Sequence, residues 1–482
     1  MKTLILMSAI AVAQAATYQV DCTKPEWKTL SKLSTLELKP GDQILLKSGC
    51  AWPGPLVTRG SGALNAPIVI DRYGKGAMPR IDGGGSGTDA VLLKNQQWIE
   101  LRNLEVTNHG EGVATRRGVH IWLDDFGVAQ HIVVSGLFVH DVNGTNKDKD
   151  NGGIIFRTSG KKTPSRFDGL RIERNIVWKV DRSAIAAQSA FYSRHIWFPS
   201  TGVVIRDNYV EDIGGDGIVP WACDGALVEH NIAKDCNRRA NEYNAGIWPW
   251  SCDNTVMRLN EAMWTRSQKD GQGFDSDYNS RNTTIEFNYS HDNEGGFLLI
   301  CTPEPPKSGE MLGNEGVEVR YNISRNDKTR SIHIPGPVRG IRVHDNYIET
   351  GAGETVNLVQ FSDWKGYASN AEFVNNTFIS NGTGRYGHEV KRSPDGNFEI
   401  GQGFGPAKDV RFRGNRYAGK HVDRPEDAEA KNDAKPVKFN WTGPAFHPSK
   451  PEGFADYLRQ HRAWMLGMMK AAFPGASPAP QP

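Results

Sequence analysis

Asp275 and Asp277, in the segment Gly273-Phe274-Asp275-Ser276-Asp277, carry the sharpest chemistry in this 482-residue chain. Side chains alternate along extended backbone, so positions i and i+2 share a face with Cα atoms about 6.5 to 7 Å apart. Two carboxylates at that spacing suit the cleavage of a glycosidic bond. One stays protonated as general acid; the other is ionised and activates water or attacks the anomeric carbon. Asp270, Asp253, Lys269 and His333 are alternative acids or bases, with Asp216, Asp224 and Glu242 in nearby turns. Joined by Asp270, Asp253 and Glu242, the pair also has the oxygen chemistry of a calcium site.

What must position these acids is a repeat. A short alternating strand ending in Asn recurs at Asn175, Asn208, Asn231, Asn260, Asn288, Asn322, Asn346 and Asn376. Strands this short cannot bury themselves, whereas coils stacked along an axis bury one continuous core. Asn suits the corner because it tolerates left-handed backbone and can bond the next Asn in the stack. The expected fold is all-β: a right-handed parallel β-helix, or solenoid, with a short C-terminal helical extension. A sandwich would not place Asn at the same point of each strand, and a propeller needs longer repeats.

A second strand in each coil opens on Gly or a small residue. Aligned there, the second position is apolar throughout: Val119, Ile154, Ile185, Ile218, Ile247, Phe274, Phe297, Ile332 and Val356. That column faces the core, so the third and fifth positions face outward. They include His120 and Trp122, Arg157, Gln188, Trp221, Trp248 and Trp250, then Asp275 and Asp277, Leu298 and Ile300, His333, and Asn357 and Val359. Indoles bind the apolar faces of sugar rings. Arg157, His120 and His333 can orient hydroxyls or an anionic group. The expected substrate-binding residues are therefore Trp221, Trp248, Trp250, His120, Trp122, Arg157, Gln188 and Glu242.

The repeat, with LKPGDQILLKSGCAWPGPL, APIVIDRYG and RIDGGG, resembles the secreted right-handed parallel β-helix carbohydrate enzymes, the pectin-lyase-like superfold, from Tyr18 to Tyr417. Within it, GFDSD and the segment NYSHDNEGGF (residues 288–297) resemble a glycoside-hydrolase-like branch. The resemblance implies a secreted hydrolase acting on a polysaccharide or oligosaccharide. The superfold also hosts lyases and non-enzymes. A lyase would need a base such as Lys269, Lys234, Arg157 or Arg266 and a cation against the uronate. A non-catalytic glycan-binding β-helix would leave the acids without a role.

Composition narrows the classes. Lys plus Arg number 57 against 55 Asp plus Glu, a net charge of +2, which speaks against nucleic-acid or membrane-surface binding. No apolar run past the N-terminus reaches the ~20 residues of a membrane helix. Residues 1–15 read as a signal peptide, with Lys2, the apolar run Leu4–Val12 and the Ala13-Gln14-Ala15 cleavage pattern. The expected destination is secreted or periplasmic, where the six cysteines become disulfide candidates, Cys22 and Cys50 among them. Asn143, Asn282 and Asn440 head N-x-S/T sequons. The β-helix is expected over 16–419. Residues 420–482 are expected to form a linker, a helix marked by Phe454, Leu458, Met465, Met468, Met469 and Phe473, and a disordered end. That helix is expected to cap an open end or pack on the side. Oligomeric state leaves no trace in the sequence.

Overall fold

The computed structural model describes residues 15–240, 242–267, 269–392, 398–438 and 445–478. The expected leader, except Ala15, lies outside the described residues, as do Asn440 and the final four residues of the chain.

Three parallel sheets run along one axis. The first holds the strands that lead into each Asn, such as Arg166–Glu173 and Val204–Arg206. The second holds the strands that follow it, such as Ile176–Val180 and Tyr209–Ile213. The third carries the acids. It runs Arg117–Asp124, Gly152–Ser159, Ser183–Ser189 and Ile218–Val219, then Gln272–Ser276, Gly296–Ile300, Arg330–Pro335 and Thr355–Ser362. Between its two halves the ladder thins to single bridges, Ile218–Ile247 and Ile247–Phe274. Pro220 and Pro249 lie in these coils and have no N–H to give the ladder. The parallel β-helix is thus the architecture observed.

All nine apolar residues aligned from Val119 to Val356 are fully buried, and by register the inward column itself passes from Phe274 to Leu298, Ile332 and Val359, which are fully buried too. Each such side chain contributes about 1.5 to 3 kcal/mol relative to exposure.

The asparagines form a continuous buried ladder. Each Nδ2 donates to the Oδ1 of the next Asn at 2.9–3.0 Å, and each backbone N–H donates to that same oxygen. Successive rungs lie 23 to 39 residues apart in sequence. The ladder continues to Asn415 and ends on the Asp427 carboxylate, 2.8 Å away. The left-handed residue is not the Asn itself but the one before it: Arg174, Asp207, His230, Leu259, Phe287, Tyr321, Asp345 and Asn375 have φ between 51° and 58°. Strain at the corner, about 1 to 2 kcal/mol per non-glycine residue, is thereby offset by the side-chain bonds of its neighbour.

Helix α1 (Phe454–Ala472) lies along the flank, over the second sheet. Phe454, Tyr457, Leu458, Met465, Met468 and Met469 bury against Tyr209, Ile232, Leu259, Phe287 and Tyr347. The expected boundary at 419 falls inside the strand Arg416–Val422, which pairs with Thr377–Arg392 in the second sheet. Cys22 and Cys50 are disulfide-bonded, whereas Cys223, Cys236, Cys252 and Cys301 are buried free thiols.

Candidate active site

Register decides which side chains meet. Trp221 bridges to Trp250, and Ile247 to Phe274, so Trp248 and Trp250 stand beside Asp275 and Asp277 as the sequence alignment placed them. Farther on the alignment slips. Asp275 pairs with Leu299 and Leu299 with His333, so the outward pair of that coil is Leu299 and Cys301, not Leu298 and Ile300. The misleading cue is Gly296. Its φ is +125° and a Cβ would lie 1.5 Å from the Arg330 carbonyl oxygen, so a tight approach demands this glycine and the start of the core column does not. His333 pairs with Gln360, so Gln360 and Ser362, not Asn357 and Val359, face outward in the last of these coils.

Asp275, Asp277 and Asp270 line one cavity of about 500 Å³ with Trp221, Trp248 and Trp250. Gln188, Asp216, Lys149, Tyr243, Asn244, Tyr278, Cys301 and Trp364 complete much of its wall. A strap closes over its aromatic side. Tyr192 packs on Trp250 and Trp221, with ring centroids 5.0 and 5.9 Å apart, and Tyr278 meets Trp250 edge-on at 5.6 Å. The Arg194 N–H donates to the Glu310 carbonyl at 2.8 Å, and its guanidinium holds Asp253 and Asn279. Trp250 thus packs under a loop.

The acids differ in electrostatics. Burial raises the pKa of Asp275 well above the usual carboxylate range, and the neighbouring charges of Asp277 and Asp270 add to it. Burial raises Asp277 to about 7. The Cys301 thiol at 3.1 Å and the Tyr278 N–H at 2.7 Å pull it down, while the charge of Asp270 pushes it up. One carboxylate oxygen of each of Asp275 and Asp277 and the Cys301 sulfur lie within 4.8 Å of one another.

Several expected residues are employed elsewhere. Asp253 is bound by Arg194 and Arg281; although burial works against it, these guanidiniums hold its carboxyl below the ordinary range, so it is a poor proton donor. Lys269 is exposed and outside the cavity wall. His333 is buried beside Ser362, 2.8 Å from its hydroxyl, and also lies outside that wall. His120 stacks on Trp122 and contacts Asp89, Trp122 donates to Ser159, and Arg157 pairs with Asp150; all three sit on more N-terminal coils, outside the cavity. Glu242 is exposed, 3.9 Å from Arg182. Of the oxygen set considered for calcium, Asp253 and Glu242 are engaged elsewhere and Asp270 shares the cavity, while a thiol, not a hard oxygen ligand, joins the Asp275 and Asp277 carboxylates in the tight cluster.

Lys149, Tyr278, Cys301, Asn244, Tyr243 and Trp364 escaped sequence reasoning. Cys301 was hidden by the one-residue slip. Lys149 comes from a charged turn, Lys147–Asp150, whose composition marks only a loop.

This fold and cavity define a class: a parallel β-helix of the architecture used by carbohydrate-active enzymes. More particularly, a lacto-N-biosidase of Bifidobacterium longum subsp. longum is 27% identical over 453 residues, a match covering 73% of this chain and 27% of that protein. The chain thus spans about a quarter of the length of that curated relative. The crystal structure of a GH136 lacto-N-biosidase from Eubacterium ramulus aligns with TM-score 0.58 and 23% identity, covering 86% of this chain and 67% of that one. A mannuronic-acid-specific polysaccharide family 6 lyase from human gut microbiota aligns with TM-score 0.51 and 14% identity, covering 85% and 92%. No family model matches the chain.

Proposed function

We propose that this protein is an exported glycoside hydrolase that cleaves an oligosaccharide by a two-carboxylate mechanism. The observation that carries the reading is the gathering of Asp270, Asp275 and Asp277 with three indoles on one cavity. The 27% identity to a lacto-N-biosidase supports the class, and suggests a glycan carrying a lacto-N-biosyl unit as the first substrate to try.

The roles follow from charge. A general acid works best with a pKa near the operating pH; Asp277, at about 7, meets that condition. Its partner must be ionised. Burial drives Asp275 well above the usual carboxylate range, which unsuits it for that part, and Asp270 stands in the same cavity wall. Asp277 therefore protonates the departing oxygen, and Asp270 attacks the anomeric carbon or activates water there. In this reading Asp275, expected from the sequence to be half of the catalytic pair, packs beside the acid as its neutral neighbour. The indoles seat the sugar ring and exclude water around the acids, which strengthens their interactions.

A lyase is less well supported. Lys234 is paired with Glu211, Arg266 with Asp235, and Arg157 with Asp150, while Lys269 is exposed; none of the four lines the cavity. The ionised partner of the acid would repel a uronate in the same cavity.

The test is a glycan panel including an aryl lacto-N-bioside, read for both reducing ends and unsaturated uronate, beside Asp277→Asn and Asp270→Asn. Loss of hydrolysis by about 10²- to 10⁴-fold in each variant is expected. Ultraviolet absorbance without hydrolysis would establish the lyase instead, and glycan binding unchanged in both variants with no turnover by wild type would establish a binding protein. N-terminal sequencing of the protein recovered outside the cytoplasm checks the leader, with Ala16 expected first.

A further inference from the structure

Resting on the hydrolase reading, we propose that Lys149 is a specificity-determining residue whose ammonium donates to an uncharged acceptor oxygen of the sugar seated on Trp248, and that Asp216 is the positioning residue that aims it.

Among the described residues Lys149 is the only cationic side chain in the cavity wall, which otherwise carries four aspartates. A lysine stem normally samples many rotamers, and ordering it costs entropy. Here it is fixed at two points. The Nζ lies 2.7 Å from Asp216 Oδ2 and 4.8 Å from the centre of the Trp248 ring. Asp216 is fully buried and is itself held by Arg182 Nη1 at 2.9 Å and by Trp248 Nε1 at 3.0 Å. One carboxylate thus fixes both the cation and the indole.

The charge count points the same way. Two cations, Lys149 and Arg182, share the one Asp216 carboxylate, and Arg182 is wholly buried while the Lys149 side chain keeps 35% of its surface. An ammonium has three N–H donors. Asp216 takes one, so two remain on a partly exposed group in the cavity wall. What they fit is an oxygen-rich, uncharged substituent beside the apolar face of a ring: a hydroxyl or an acetamido carbonyl. An anionic sugar gains at Lys149 but meets the ionised partner of Asp277 in the same cavity.

The experiment compares wild type with Lys149→Met, Lys149→Arg and Asp216→Asn. The probes are aryl lacto-N-bioside and its counterpart with a hydroxyl in place of the acetamido group, together with the two free disaccharides. Hydrolysis gives KM and kcat separately, and tryptophan fluorescence gives Kd without turnover. Losing a hydrogen bond to a charged group weakens binding by about tenfold or more. Lys149→Met is expected to raise KM and Kd by that factor with kcat within about threefold, and Lys149→Arg to recover part of the loss. Asp216→Asn, checked for fold by circular dichroism, is expected to weaken binding in the same direction. If Lys149→Met loses equally on both probes, the acceptor is a hydroxyl; if its loss disappears on the probe lacking the acetamido group, it is that carbonyl. Binding by Lys149→Met within twofold of wild type, with hydrolysis intact, overturns this inference and leaves the hydrolase reading standing. Neither binding nor hydrolysis of any probe by wild type overturns both.

Discussion

The thiol of Cys301 donates a hydrogen bond to Asp277 Oδ1 across 3.1 Å, from the neighbouring coil. Burial, with Asp277 and Asp275 beside it, pushes the Cys301 pKa well up, so the group stays a donor through neutral pH. A bond donated to a carboxylate favours the charged form. Cys301 therefore restrains an acid that burial alone would carry higher. Cys301→Ala should move the alkaline limb of the kcat/KM profile upward, while Cys301→Ser, which keeps a donor, should leave the limb close to that of wild type. Coincident profiles for wild type and Cys301→Ala would remove this role.

Asp275→Asn separates the neutral acid from the working ones. Asp277 must hold its proton to act, so kcat/KM should fall as pH rises through about 7. Burial drives the Asp275 carboxyl well above the usual carboxylate range, and asparagine is close in shape and charge to its neutral form. The expected loss is less than about tenfold, against the far larger losses expected at Asp277 and Asp270. Equal losses at all three positions would return Asp275 to the catalytic pair.

Much of this was legible in the sequence, for a physical reason. Burial in a solenoid recurs coil after coil, so the Asn rungs and the column from Val119 onward are written as periods. The acids stood out because Asp275 and Asp277 are two carboxylates side by side in an outward column of indoles, imidazoles and apolar residues. What stayed hidden was whatever breaks the period. Gly296 imitates the start of a strand but answers to the Arg330 carbonyl, which displaced Cys301 by one place. Lys149 and Tyr192 arrive from loops, and the bonds that aim them, to Asp216 and to the tryptophan pair, join residues of different coils. Asp253 looked catalytic because sequence shows its carboxylate but not the Arg194 strap that neutralises it.

The Asn ladder makes a stability prediction. Asn260 Oδ1 accepts from the Asn231 N–H at 2.9 Å and from the Asn231 Nδ2 at 3.0 Å, while its own Nδ2 donates to Val228 and Asn288. Asn260→Ala leaves several fully buried groups without partners. At about 1 to 3 kcal/mol for each such group, the cost should reach about 3 to 6 kcal/mol in urea denaturation. Asp427→Ala removes the acceptor of the fully buried Asn415 at the ladder's end, together with the bonds Asp427 accepts from the Gly414 N–H and the Tyr417 hydroxyl, but leaves the freed groups beside a part-exposed site that water can reach, and should cost about 1 to 3 kcal/mol. A smaller cost at the interior rung than at the end would contradict the ladder's part in holding the corners.

Helix α1 is docked over buried histidines, which ties its anchoring to pH. Glu261 accepts from His461 of the helix at 2.8 Å and from His291 at 3.1 Å, and His291 also bonds Asp292 at 2.6 Å. Burial works against a charged His291, but Asp292 and Glu261 outweigh it and raise its pKa to about 9. A raised histidine pKa stabilises the fold fully below the unfolded value of about 6.5. That contribution is lost as pH climbs through about 9. His230, bonded to His461 from the other side, has the opposite sign: burial lowers it to about 4, so its contribution holds above the unfolded value and is lost as pH falls. Stability should therefore peak near neutrality. His291→Gln should flatten the alkaline slope, removing a loss on the order of 3 kcal/mol between pH 6.5 and 9. Urea denaturation at pH 6, 7.5 and 9 reads this directly, and parallel slopes for wild type and His291→Gln would place the alkaline loss elsewhere in the molecule.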